Sequence, residues 1–394
     1  MRKVYLDYSA TTPLSEEVFE QMKPYFTEHF GNANSLHSFG RDGAYAVDMA
    51  RRKRASLLGA EPNEIYFTSG GTESDNWAVK GAAQARKEKG NHIITTAIEH
   101  PALMNTCVAL EKQGYKVTYL PVYKNGIVKP ADLKKAITDK TTVISVMLAN
   151  NEIGTIQPVK ELAEIAKEHK IVFHTDAVQA IGSIPVNVKD LGVDMLSLSG
   201  HKFYGPKGIG VLYVKKGVKI DKLLTGGHQE RGMRGGTTNV PAVVGIAAAM
   251  EIAVRDLDKN AKHIKAMRDL FVERIEKEVP YIIYNGDREK RLPQNANFSF
   301  EFIEGESILY KLDLAGVACS SGSACSSGSL DPSHVLLATG LPAEKAHGSI
   351  RFTFGKDTSK EDVEYVVKVV KESVEYLRGI SPLFAEFKGG TYNV

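Results

Sequence analysis

A chain of 394 residues that is 43% apolar and 25% charged has the composition of a globular protein and the length for a large core, most simply in two domains. Its formal net charge of +3, with the 50 basic residues spread along the chain, argues against nucleic acid or an anionic membrane as the main partner. The longest apolar runs, such as Val143 to Ala149, are too short to cross a bilayer, and Met1 to Asp7 lack the apolar stretch of a secretory signal, so a cytoplasmic location is expected.

In chain order, Glu64 to Thr68 predicts a strand and Glu73 to Lys87 a helix, joined by Thr68-Ser69-Gly70-Gly71-Thr72. His92 to Ala97 follows as a strand, with Glu99-His100 at its end, and Ala102 to Lys112 as a helix. Lys116 to Val122 and Val143 to Ala149 are strands, the second ending on Asn150-Asn151. The Val159 to Lys170 helix leads to strand Ile171 to Asp176, and strands Met195 to Leu198 and Ile209 to Val214 close the series. Strand–helix alternation with nearly continuous apolar strands predicts an α/β fold with a mostly parallel sheet covered on both faces. Ligands of such sheets gather at the carboxyl ends of the strands, where the polar residues just named fall. From about Pro241 the pattern changes to helices over Pro241 to Leu257 and Ala261 to Lys277, strands over Asn297 to Phe302 and Ser349 to Phe354, and an amphipathic helix over Ser359 to Arg378. This reads as a second, smaller α+β domain.

The segment Ser199-Gly200-His201-Lys202 carries the most chemistry. Lys202 sits at a strand end among small residues, and only a neutral amine is nucleophilic, so a cramped setting that lowers a lysine's pKa suits a Schiff-base lysine of a pyridoxal phosphate (PLP) enzyme. Asp176 could pair with the protonated pyridine nitrogen of that cofactor and Gln179 with its phenolic oxygen, although an aspartate there could equally cap a helix. Gly70-Gly71-Thr72 at a helix start could close on a phosphate through backbone N–H groups, or be a plain helix cap. His100 could stack on a ring and exchange protons as a catalytic residue, or be a hydrogen-bonded structural histidine, and His201 could donate to a phosphate; the histidines lack partners at zinc spacing, so no metal is expected. Arg351 is either an edge charge on its strand or a bidentate clamp for a substrate carboxylate. The cysteines number three, an odd count that argues against a disulfide framework. Cys107 has the spacing of a core residue, whereas Cys325, in the Ser/Gly-rich stretch Cys319 to Ser329, has neighbours that give mobility and access, which a nucleophilic thiol needs.

Taken together, these segments resemble the cysteine desulfurases of the NifS/IscS type, within the fold-type I (aspartate aminotransferase-like) PLP enzymes. The similarity also takes in Tyr5 to Pro13, Asn150 to Gly154, His174 to Gln179, Gly226 to Thr237 and Ser320 to Cys325. It implies a large domain over 15–260 with a seven-stranded sheet, and a small domain formed by 1–14 with 261–394 that carries a cysteine loop at about 319–331. It implies that L-cysteine is converted to L-alanine with a persulfide left on Cys325, whose sulfur passes to an iron–sulfur scaffold protein or another acceptor. Lys202 would bind PLP covalently and deprotonate the substrate; Asp176, His100, Gln179 and Asn151 would hold the ring and the substrate side. Gly71, Thr72, Ser199 and His201 would bind the phosphate with Thr237 from the other subunit of a homodimer, and Arg351 would bind the substrate carboxylate. Cys325 could also serve as a transient iron–sulfur ligand in a scaffold complex, and Leu377 to Phe384 resembles the family's docking tail. A selenocysteine lyase or aminotransferase on the same fold, and a non-catalytic assembly partner, are the competing readings.

Overall fold

The central strands of the first half, His92–Thr96, Thr141–Ser145, Val172–Asp176, Met195–Ser199 and Gly210–Val214, are buried at every position, which a sheet interior between two helical layers satisfies. In the computed structural model, which describes residues 2–321 and 331–389, the strands are β1 (Val4–Tyr5), β2 (Ile65–Thr68), β3 (His92–Thr96), β4 (Lys116–Leu120), β5 (Thr141–Ser145) and β6 (Val172–Asp176). They continue with β7 (Met195–Ser199), β8 (Gly210–Val214), β9 (Ile282–Tyr284), β10 (Asn295–Phe300), β11 (Val317–Ala318) and β12 (Ser349–Thr353). The main sheet has seven strands in the order β2-β8-β7-β6-β5-β3-β4. Only β8 runs against its neighbours, β2 and β7; the other pairs are parallel. The chain is therefore an α/β protein of the expected mostly parallel kind.

Element boundaries move in ways that matter for the site. The helix expected from Glu73 begins at Gly71 and runs to Ala85, so its N-terminus falls on the glycines. The strand expected through Ala149 leaves the ladder after Ser145. The following residues stay extended beside β6, with Val146 N bonded to His174 O at 3.1 Å and Leu148 N to Asp176 O at 2.8 Å. Phe302, expected in a strand, has φ 73° and lies beyond β10.

A second sheet of three strands, β12-β10-β9, is antiparallel throughout. Its core joins Phe298, Phe300, Ile350 and Phe352 to Phe271 of the Leu257–Glu278 helix and to Val363, Val366 and Val370 of the Lys360–Gly379 helix. Val4 and Leu6, from the opposite end of the chain, are part of this core. Ser359 starts the last of these helices with a capping box, its Oγ accepting from Asp362 N at 3.0 Å while Asp362 Oδ2 accepts from Ser359 N at 3.1 Å. Among the described residues no helix is long and apolar enough to cross a membrane.

Candidate active site

The carboxyl ends of β2, β3, β6 and β7 and the turn after β5 open onto one cavity of about 290 Å³. Gly71, Thr72, His100, Asn151, Asp176, Gln179, Ser199, His201, Lys202 and Arg351 all line it. Two residues named from the sequence do not. Thr237 is exposed in the segment before the Val240–Arg255 helix and is not part of the lining in this chain, and Cys325 lies outside the described residues.

Lys202 is held where the short turn after β7 ends, and its Nζ donates to Ser9 O at 2.6 Å and Ala10 O at 2.7 Å. The N-terminal segment is seated by Thr12, whose Oγ1 donates to His201 O at 2.9 Å and accepts from Tyr204 N at 2.8 Å. Ser9 and Ala10 belong to the wall of the cavity through their backbone. Carbonyl oxygens carry no side-chain signature, so sequence reading could not single them out.

Asp176, at the end of β6, accepts from Val178 N at 2.8 Å, and burial pushes its carboxyl up to about 6 against the pull of that hydrogen bond and of Lys202. Behind it stands Asp75, a residue the sequence reading missed although it lies one turn beyond Thr72 on the same helix. Asp75 is fully buried, and desolvation together with the neighbouring Asp176 charge raises it well above the usual carboxylate range, so Asp75 is the member of the pair that keeps a proton. His174 sits 3.7 Å from Asp75 Oδ1 with its ring nitrogens on Ser145 Oγ and Ser197 Oγ, and burial holds it neutral by lowering it to about 3.

His100 caps the Pro101–Glu111 helix, and its Nδ1 accepts from Ala102 N at 3.1 Å, which leaves the ring proton on Nε2. Burial, Lys202 and His334 lower it to about 4, so the ring is neutral at physiological pH. Its neighbour Glu99 is completely buried, accepts from Thr96 Oγ1 at 2.7 Å and Met147 N at 3.0 Å, and is pushed by burial to about 8. Because the folded pKa lies above the unfolded one, near 4.5, the folded state binds the extra proton, and stability falls as pH rises from about 4.5 to about 8. Glu99→Gln removes that titration. The variant should gain on the native holoenzyme by up to about 1.4 kcal/mol per pH unit across the window, read from urea midpoints at pH 5, 6, 7 and 8. A constant gap across that range would contradict the assignment.

At the other end of the cavity the Gly71–Ala85 helix points its N-terminus at Ser199 and His201. Small residues are required here: a Cβ on Gly71 would come within 2.8 Å of Val178 Cγ2, and one on Gly210 within 2.6 Å of the Gly70 backbone. His201 Nδ1 lies 3.1 Å from Thr11 Oγ1, and burial followed by Lys202 and Lys207 lowers it to about 4. Arg234 clamps Glu73, next to Thr72, at 2.8 and 3.0 Å.

Arg351 lies on β12 but is no exposed edge charge: it is 3% exposed and faces the cavity. Its Nη2 donates to Asp7 Oδ1 at 2.8 Å and its Nη1 to Asn151 O at 3.1 Å, while its buried Nε has no hydrogen-bond partner among the described residues. The described cysteines stand apart from the cavity. Cys107 is buried with its thiol pushed up to about 12, and Cys319 packs against the second core with its thiol raised by burial and by Asp7. Among the described residues no cluster of three or more His, Cys, Asp or Glu could hold a metal ion.

This donor set fits PLP. A primary amine, a buried carboxylate, a flat neutral imidazole and a glycine-lined helix N-terminus face one space.

Known proteins resemble the chain along nearly its whole length. The aminotransferase class-V family model matches residues 4–366. The chain is 55% identical over 387 residues to the protein named cysteine desulfurase IscS of Dictyoglomus turgidum, covering 98% of each. It is similar to a solved NifS-like protein with a TM-score of 0.90 and 40% identity, covering 95% of this chain and 100% of that one. It is also similar to a structure described as SspA in complex with cysteine, with a TM-score of 0.79 and 37% identity over 90% of this chain and 99% of that one.

Proposed function

The chain belongs to the class-V aminotransferases and is a PLP-dependent cysteine desulfurase, and we propose that it removes sulfur from L-cysteine with Lys202 as the cofactor lysine and Cys325 as the sulfur acceptor. The observation that carries the reading is the meeting of Lys202, Asp176, His100 and the Gly71 helix N-terminus around one cavity. PLP, when bound, supplies an electron sink for the bond-breaking at the substrate.

The chain's own groups do the rest. Gly71 and Thr72 would offer backbone N–H groups to the phosphate with Ser199 and His201, Asp176 would oppose the charge on the ring nitrogen, and the neutral His100 ring would pack on the cofactor ring. Gln179 and Asn151 serve the phenolic oxygen and the substrate side. Arg351 receives the substrate carboxylate, and its unpartnered buried Nε supports this role. Lys202 Nζ, flanked by the Ser9 and Ala10 carbonyls, takes the Cα proton and stabilises it there as an ammonium. Cys325 Sγ then attacks the substrate sulfur: the Cβ–S bond breaks with its electron pair remaining on carbon, an S–S bond forms, and protonation of the carbon completes L-alanine. L-Cysteine and a thiol thus give L-alanine and a persulfide, with no outside oxidant needed.

The division into a large part over 15–260 and a small part from 1–14 with 261–394 belongs to the same proposal, supported by the second core that joins Val4 and Leu6 to residues beyond 264. A homodimer is supported by the apolar side chains left in water between residues 26 and 49: Phe26, Phe30, Leu36, Phe39, Tyr45 and Met49, with Leu36 92% exposed. In it Thr237 of the partner subunit would complete the phosphate site, which its exposure here allows. The sulfur acceptor is an iron–sulfur scaffold or similar protein, and the exposed Ile380 and Leu383 beside the Pro382–Lys388 helix support docking at that end. A cytoplasmic location agrees with Cys107 and Cys319 being free thiols.

Borohydride reduction of the holoenzyme followed by peptide mass mapping should place the pyridoxyl group on Lys202. A label on another lysine, or none, would reject the assignment.

A further inference from the structure

Glu73 and Arg234 have no part in the roles above, yet both stand at the phosphate end of the site. Glu73 is the third residue of the Gly71–Ala85 helix and lines the same recess as Gly71, Thr72, Ser199 and His201. Its Oε2 accepts from Ser69 N at 2.8 Å, so the carboxylate closes the turn that carries the glycines. An acid in the first turn is favoured by the helix N-terminus, and here that creates a conflict, because a phosphate needs the same positive end. Burial raises the Glu73 carboxyl, but hydrogen bonds from Arg234 and Ser69 outweigh it and hold the group below the usual carboxylate range, so it carries its charge. Among the described residues the other charged side chain lining the recess is Lys207, since His201 is neutral. One anion and one cation leave no net charge to receive a phosphate dianion.

Arg234 supplies the missing charge. Its Nε and Nη2 donate to the two oxygens of Glu73 at 2.8 and 3.0 Å, a paired fork in which the Glu73 side chain is 9% exposed. The arginine is carried by a tightly fixed segment. Glu230 at φ 47° and Arg231 at φ 59° lie in the left-handed region, which a residue with a side chain keeps only where its surroundings hold it there. Arg51 does so with two hydrogen bonds to the Glu230 carboxylate at 2.8 and 2.7 Å, and Phe67 N adds a third at 3.0 Å. Beyond Arg234, Gly235 N donates to Leu224 O at 3.1 Å. Arg234 is thus placed on Glu73 without itself lining the recess.

We propose that Arg234 is a positioning residue for the cofactor phosphate: by pairing with Glu73 it lets that carboxylate shape the glycine turn without repelling the anion the turn receives. The proposal rests on the reading of the Gly71 helix N-terminus as the phosphate site. A direct contact of Arg234 with the phosphate, or a purely structural role in its own segment, leads to a different result, because neither is cured by removing the charge of Glu73.

The test titrates the full-length protein, freed of cofactor, with PLP and with pyridoxal, which lacks only the phosphate group, and reads the dissociation constants from visible absorbance. Arg234→Gln should weaken PLP binding by about 30-fold, the lower end of the loss when one member of a hydrogen-bonded charge pair is truncated, and should leave pyridoxal binding within about 3-fold of native. Adding Glu73→Gln to Arg234→Gln should bring PLP affinity back to within about 5-fold of native, because glutamine still accepts from Ser69 N but carries no charge. If Arg234→Gln does not fold, Arg234→Lys takes its place. It keeps the charge and loses the fork, and should cost about 5-fold for PLP, with the same recovery on adding Glu73→Gln. Unchanged PLP affinity, equal losses for PLP and pyridoxal, or no recovery in the double variant would each overturn the proposal. A native protein that binds pyridoxal as tightly as PLP would overturn the underlying phosphate-site reading, and is seen before any variant is compared.

Discussion

Cys325→Ala should abolish sulfur release from L-cysteine, with a loss of at least about 1,000-fold, while the enzyme still binds PLP and still changes absorbance on meeting its substrate. The loss is expected to be this large because neither described cysteine can substitute. Cys107 is sealed in the helix layer with its thiol pushed up to about 12. Cys319 is nearer in sequence, but burial and the charge of Asp7 keep its thiol protonated, and it packs against the second core rather than lining the cavity. Only a thiolate attacks sulfur at a useful rate, so a thiol held protonated contributes nothing. Cofactor binding should survive because the described residues that line the cavity are all retained in the variant. Sulfide and alanine measured over time, beside the cofactor spectrum, decide the matter. Full activity in the variant would reject Cys325 as the acceptor.

Much of the site was legible because its chemistry is written in short segments at strand ends. Lys202 stands four residues beyond its apolar strand, and the Gly70-Gly71 pair sits where a strand becomes a helix, so each can be read without knowing its neighbours. What escaped is defined by contact between distant segments. Asp75 matters because β6 brings Asp176 beside it, and the Ser9 and Ala10 carbonyls matter because Lys202, far along the chain, reaches them. The Ser38–Leu58 helix gave no periodic signal, since its buried positions are mostly Gly and Ala rather than large apolar residues. The reason is local crowding: a Cβ at position 40 would come within 2.2 Å of Ser35 O, and one at 43 within 2.8 Å of Gly31 O. Helix propensity disfavours those glycines, and packing against the preceding loop overrides it.

The paired acids at positions 75 and 176 should respond very differently to the same small change. Asp176→Asn keeps the shape of the side chain and can still accept from Val178 N, but it removes the negative charge that opposes the ring nitrogen of bound PLP. A buried charge that acts where charge develops in a reaction is worth a factor of about 100 to 1,000, so the turnover rate should fall by that amount. Asp75 presents the opposite case. Desolvation and the adjacent Asp176 charge already hold it protonated, and its Oδ1 accepts no hydrogen bond from the described residues. Asp75→Asn replaces one neutral group by another and should lower the rate by less than about 5-fold, within the range of a neutral hydrogen-bond change. Comparing the two variants separates charge from packing, since both acids are buried and both touch the same cavity wall. The measurement is the steady-state rate with L-cysteine, with bound PLP quantified in each variant. Equal losses at the two positions would mean that the proton is shared differently from the arrangement described, and a small loss at 176 alone would deny that this carboxylate faces the cofactor nitrogen.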